Sequence, residues 1–168
     1  VRLRLTSTGD DLSDLQKQTS AIASRIVDRV LPHVIATEDV TLEEVIVQEF
    51  TKRQLTLSTA ESCTGGYLAA QLTAIPGCSQ MYTGGTIPYS NVLKENLLDV
   101  KESTLQAFGA VSEQTVIEMV NGLKNKFGTD YAIATSGIAG PTGGTTEKPV
   151  GTIWIAVAGK EQIVSKKF

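Results

Sequence analysis

The stretch "LTLSTAESCTGGYLAAQLTAI", residues 55–75, decides how the chain is organised. Its first six residues read as a short strand. Its last ten place Leu68, Leu72 and Ile75 on one face of a helix. Between them "ESCTGG" (61–66) is a turn of small and polar residues. A strand that passes directly into a helix is the unit from which layered α/β domains are built.

The same alternation extends on both sides. Upstream, "TEDVTLEEVIVQEFTKRQ" (37–54) carries Thr41 with Glu44 three residues on, a capping box that predicts a helix over about 42–53. Downstream, "MYTGGTIPYS" (81–90), "YAIATSG" (131–137) and "GTIWIAVAG" (151–159) read as strands, with helices near 91–98, 101–108 and 112–127. The expected fold class is therefore α/β, a layered domain whose mostly parallel or mixed sheet is flanked by helices. Ligands of such sheets bind beyond the strand ends, and three Gly-rich turns lie there.

The N-terminal block is different. "VRLRLT" (1–6) has the period of a half-buried strand, and "LSDLQKQTSAIASRIVDRVLPHV" (12–34) spaces Leu12, Leu15, Ile22, Ile26, Val27 and Val30 as a helix that Pro32 stops. One strand and one helix bury little. Residues 1–37 thus read as the end of a small α+β domain that begins upstream, and 38–168 as the main domain.

Composition narrows the chemistry. With 41% hydrophobic and 20% charged residues the chain is globular in character, and a net charge of −3 gives nucleic acid no bulk electrostatic footprint. No apolar run approaches the roughly 20 residues that span a bilayer, and no signal-peptide hydrophobic region opens the chain, so a cytoplasmic setting without membrane partners is expected. Cys63 and Cys78 are too few for a disulfide framework and read as reduced thiols. His33 is the only histidine and sits in the N-terminal block. A histidine-based triad is disfavoured accordingly, and His33, Cys63 and Cys78 lack the spacing of a zinc site, so no metal and no cofactor are expected.

Three segments can still carry chemistry. In "TAESCTGG" (59–66), Ser62 stands at a helix mouth where unpaired N–H groups and the helix dipole favour an anion, and Gly65 and Gly66 admit a ligand close to the backbone. The alternative reading is a Ser or Thr helix cap with small residues for packing, and Cys63 as a buried neighbour. In "TIPYSNVLK" (86–94), Tyr89 and Lys94 reach a strand end, where either could take a proton from a serine, or be a rim aromatic and a solvated lysine. The third, "SGIAGPTGGTTEKPVG" (136–151), holds five glycines and two prolines in sixteen residues. Its amides can form an anion-binding nest, although it has neither the P-loop nor the Rossmann spacing; an irregular surface loop is the plainer reading.

Together "TAESCTGG", "YSN", "GAVSE" (109–113) and "SGIAGPTGGTTEKPVGT", in this order, closely resemble the C-terminal domain of the CinA competence/damage-inducible proteins, the nicotinamide-nucleotide amidohydrolase family. The resemblance implies hydrolysis of nicotinamide mononucleotide to nicotinate mononucleotide and ammonia in pyridine nucleotide salvage. It also implies Ser62 as nucleophile, with Tyr89 and Lys94 as polar partners that activate it or bind substrate. Ser136 matches a substrate-binding position, in company with Thr64, Gly65, Gly66, Gly137, Gly140, Gly143 and Gly144. A homodimer is the family's common state. Residues 1–37 resemble the tail of the KH-type middle domain of full-length CinA proteins. Family members continue past the last strand into a loop and helix bearing a catalytic or substrate-binding arginine; a chain ending at Phe168 is expected to be weakly active or inactive. The alternative function is a non-catalytic binding or assembly module.

Overall fold

The computed structural model describes residues 2–168 and divides the chain into two units, Val1–Leu42 and Glu43–Phe168. In the first, helix α1 spans Leu12–Val30 and starts at Asp11, whose carboxylate accepts the N–H groups of Ser13 and Asp14 at 2.9 and 3.1 Å. It ends where Pro32 enters a short 3-10 turn, Leu31–His33. None of its residues is buried.

The strand expected at the start of the chain is not formed. Residues 2–8 are exposed and irregular, and Val1 lies outside the described residues. Alternation becomes a strand only when a neighbouring strand takes its hydrogen bonds, and all strands of the described residues lie between 57 and 167.

The second unit is built on a five-stranded mixed sheet. Its strands are β1 (Leu57–Glu61), β2 (Tyr82–Thr86), β3 (Tyr131–Gly137), β4 (Ile153–Ala158) and β5 (Ile163–Lys167), in the order β2-β1-β3-β4-β5. β1 runs parallel to β2 and β3, whereas β4 and β5 follow antiparallel. All five residues of β1 are buried, as a central strand covered on both faces requires. β2 stops at Thr86, short of the expected 81–90, because Pro88 has no N–H for a ladder.

β5 was not foreseen. "IVSKK" ends in two lysines and owes its strand conformation to pairing with β4, from Ala158↔Ile163 to Trp154↔Lys167.

Helices cover both faces. α2 (Leu42–Lys52) and α3 (Tyr67–Thr73) contribute Val47 and Leu72 to a core with Leu57, Cys78 and Met81. On the opposite face lies α6 (Glu113–Phe127), with α4 (Asn91–Leu98) and α5 (Glu102–Phe108) beside it. Val116, Met119, Val120 and Leu123 recur at helical spacing and are fully buried against Ala60, Ala132, Ala134 and Ala156. Small strand residues let α6 lie close to the sheet. α4 also lies close against α6, since a Cβ on Gly122 would stand 1.8 Å from the Leu98 carbonyl oxygen.

Candidate active site

The turn after β1 is held from both ends. The Ser62 N–H donates to the Thr135 carbonyl at 3.0 Å, which prolongs the β1–β3 ladder by one residue. At the other end α3 begins after Gly66, whose φ of 99° suits glycine and which offers no side-chain cap. The cap comes instead from Glu61, buried at the end of β1. Its two carboxylate oxygens accept the N–H groups of Leu68 and Ala69 at 2.9 and 2.8 Å. Neither Ser62 nor Thr64 caps the helix. Thr64 instead shares a 2.8 Å hydrogen bond with the Thr135 hydroxyl.

Ser62 is thereby free to face another partner. Lys94, on the inner face of α4 and only 1% exposed, places Nζ 3.0 Å from Ser62 Oγ. The same Nζ donates to the carbonyls of Pro88 at 2.8 Å and Tyr89 at 3.3 Å. Three contacts suit both protonation states. An ammonium donates all three bonds; a neutral amine gives two N–H groups to the carbonyls and turns its lone pair on the serine proton. Burial pushes the Lys94 amine below the ordinary lysine value, with the neighbouring Cys63 pulling weakly the other way. Among the described residues Lys94 makes no ion pair. A buried lysine beside a serine hydroxyl is equipped to take its proton.

Tyr89 contributes its backbone carbonyl to this arrangement, while its side chain is 75% exposed at the rim. Cys63, half-buried next to Ser62, has its thiol pushed up by burial. Its sulfur would lie 3.0 Å from a Cβ on Gly137, so a side chain there would have to displace the thiol by a few tenths of an ångström.

A cavity of about 370 Å³, within the range of small-molecule sites, joins these groups. Ser62, Cys63, Tyr89 and Lys94 line it together with Ala110, Val111, Ser136–Gly140, Thr142 and Gly143. The buried Ser136 hydroxyl donates to the Ala110 carbonyl at 2.7 Å. The base of the loop is closed by Ile138 N–H to Thr152 O and Gly151 N–H to Ile138 O. The amides of Ala139, Gly140, Thr142 and Gly143 donate no hydrogen bond among the described residues. Such amides are what a nest offers an anion.

Of the residues singled out in the sequence, Ser62, Tyr89, Lys94, Ser136, Gly137, Gly140 and Gly143 therefore meet at one cavity. Thr64, Gly65, Gly66 and Gly144 do not line it. Gly66 sits against Ile87, and a Cβ on Gly144 would press on the Val150 amide at 2.7 Å, so these glycines answer to local packing. Glu61 and the Pro88 carbonyl escaped the sequence reading, because neither a cap six residues ahead of its helix nor a backbone acceptor leaves a spacing signal. A second concavity of about 430 Å³, lined by residues 73–79 and Tyr82, contains none of the singled-out groups. No three His, Cys, Asp or Glu side chains among the described residues are grouped to hold a metal ion.

Residues 39–168 match the CinA C-terminal domain. The chain belongs to that family. It is 44% identical over its whole length to a CinA-like protein of Cytophaga hutchinsonii and 40% identical to a putative competence-damage inducible protein of Thermoanaerobacter pseudethanolicus. It spans 40% and 41% of those two relatives. Among solved structures, the competence/damage inducible protein CihA of Agrobacterium tumefaciens shares 41% identity at a TM-score of 0.74, over 75% of this chain and 77% of that one. The CinA superfamily protein of Escherichia coli shares 33% identity at a TM-score of 0.73, over 83% and 84%. The mixed sheet and its helices are thus the CinA C-terminal fold.

Proposed function

We propose that the cavity hydrolyses the carboxamide of nicotinamide mononucleotide, giving nicotinate mononucleotide and ammonia. The observation that carries this reading is the 3.0 Å contact between Ser62 Oγ and the buried Lys94 Nζ, held by two backbone carbonyls. Neutral Lys94 takes the hydroxyl proton as Ser62 Oγ bonds to the carboxamide carbon. The tetrahedral intermediate then collapses with cleavage of the C–N bond. Lys94 passes its proton to the departing nitrogen, which leaves as ammonia. Water, deprotonated in turn by Lys94, attacks the acyl ester and releases the carboxylate with regeneration of Ser62.

The N–H of Ser62 is taken up by Thr135 O, so donors for the oxyanion must come from elsewhere on the wall. The partner-free amides of Ala139, Gly140, Thr142 and Gly143 suit either the oxyanion or the substrate's phosphate, and the exposed Tyr89 ring offers a face on which a pyridine could rest.

The test is ammonia release from nicotinamide mononucleotide, measured with this chain and with the full-length Cytophaga hutchinsonii relative. Ser62→Ala, made here and at the matching serine of the relative, is expected to lower turnover by about 10³-fold or more. Wild-type turnover surviving in the variant would move the nucleophile to Cys63 or water. Absence of turnover in both wild-type proteins would leave a binding module.

A further inference from the structure

Beside the groups around Ser62 and Lys94, the cavity is lined by two segments far apart in sequence. One is the loop between β3 and β4; the other is the connection from α5 to α6, which supplies Ala110 and Val111. Two side chains of the loop side reach across to carbonyls of the connection. Ser136 is one, through Ala110 O. Lys148 is the other, its Nζ donating to Phe108 O at 2.6 Å.

Lys148 is well placed to act as a strut. Its backbone is set by a reciprocal turn, in which Thr145 N–H donates to Lys148 O at 2.8 Å and Lys148 N–H to Thr145 Oγ1 at 3.0 Å. Its target, Phe108, is the last residue of α5, where a carbonyl lacks an intrahelical partner and the helix dipole favours a cation. Gly109 follows with φ of 75°, and a Cβ there would stand 3.5 Å from Nζ, so the chain turns directly beneath the ammonium. Lys148 itself does not line the cavity. The loop is thus pinned at its base by Ile138 and Gly151 and at its far side by Lys148, with the partner-free amides of 139–143 between the two.

We infer that Lys148 is a positioning residue, which fastens the glycine-rich loop to the end of α5 and so sets the separation between the walls that receive the substrate. It touches neither Ser62 nor Lys94, so its loss acts on binding geometry and leaves proton transfer in place. The inference rests on the reading of this cavity as an amidohydrolase site.

The experiment compares wild type, Lys148→Met and Lys148→Arg by amide hydrogen exchange without ligand and by deamidation kinetics. Lys148→Met, which keeps the stem and removes the donor, is expected to speed exchange in 109–112 and 139–148. KM should rise about tenfold, the size of one charge-assisted hydrogen bond, with kcat within about threefold of wild type. Arginine, which can still donate, should restore both. Unchanged exchange in the two segments overturns the inference; a raised KM in that case would make Lys148 a direct substrate contact. A fall in kcat at constant KM overturns it as well. Where this wild type and the full-length Cytophaga hutchinsonii relative both leave nicotinamide mononucleotide untouched, the amidohydrolase reading falls; where this chain alone is inactive, the kinetics are read at the matching lysine of the relative, and in either case the exchange comparison decides whether the strut exists. Unaltered protection in α6 and β3 reports that the variant is folded, and Lys148→Gln, read in the same way, serves if the Met variant is not.

Discussion

Lys94 carries the site's energetics because its amine is buried without an ion pair. Desolvation penalises the charged form, so the amine titrates below the ordinary lysine value of 10.5. Two consequences share one sign. In the proposed mechanism Lys94 works as a base when neutral, so kcat/KM should climb with pH on a limb below that ordinary value. For stability, the unfolded chain binds the proton more readily than the fold between the lowered and the ordinary value, so unfolding free energy rises with pH across that window. Below the window both states are charged and the fold bears the cost of the buried ammonium; above it both are neutral. Burial acts oppositely on Cys63, Cys78 and Tyr82, whose raised values erode stability as pH rises past their ordinary ones. The clean measurement is therefore the difference in urea stability between wild type and Lys94→Met as a function of pH. It should slope upward, and the variant should lose about 10²- to 10⁴-fold in turnover. Lys94→Arg should not rescue, since a guanidinium stays protonated. A wild-type rate independent of pH would remove Lys94 as the base. The pair Ser62 and Lys94 was legible as two candidates in two motifs; that the lysine, and not the exposed Tyr89 hydroxyl, meets the serine depends on how α4 is turned, which no local pattern records.

At the level of elements, Gly122 sets where α4 stands and therefore where Lys94 reaches. A glycine inside a helix normally costs about 0.5–1 kcal/mol relative to alanine. In α6 the sign reverses, because the alanine methyl would stand 1.8 Å from Leu98 O and 2.5 Å from Leu98 C. Backbone cannot yield as a side chain would, so the helices must part. Gly122→Ala is expected to destabilise by about 3 kcal/mol or more and to depress turnover by drawing Lys94 off Ser62. Thermal unfolding and ammonia release check the two effects, and a variant as stable as wild type would show that α4 is free to shift. The strand-turn-helix units and most helix limits were readable from apolar spacing, Pro32 and the Thr41–Glu44 capping box. What was not readable depended on partners: β5 on its pairing with β4, the cap of α3 on Glu61 at the end of β1, and the absence of a strand at 2–8 on the want of a strand paired with it among the described residues.

For the molecule as a whole, the strand order explains where the site is, and the two units explain how stability should be distributed. The chain leaves β1 for β2 on one side and returns to β3 on the other, so the connections diverge beyond the carboxyl ends of β1 and β3, where a crevice opens. Ser62 follows β1 and Ser136 lies near the end of β3, on either side of that crevice. All of this lies in the unit from Glu43 onward. Residues 1–37, which we propose to be the end of a KH-type domain, present a different physical case. α1 is nineteen residues long and capped by Asp11, yet none of its residues is buried. A helix whose most covered stripe, Leu15, Thr19, Ala23, Ile26 and Val27, is only half-buried gains little from packing, and propagation barely offsets the cost of nucleation. The amides of α1 should therefore exchange with protection of about tenfold or less. Those of β1, β3 and α6, whose side chains form the core, should exchange only through global unfolding, slower by several orders of magnitude. Hydrogen exchange read by mass spectrometry distinguishes the two levels. Protection of α1 equal to that of α6 would mean that the first unit gains its stability from a packed surface, and the division at Leu42 would then have to be abandoned as an energetic boundary.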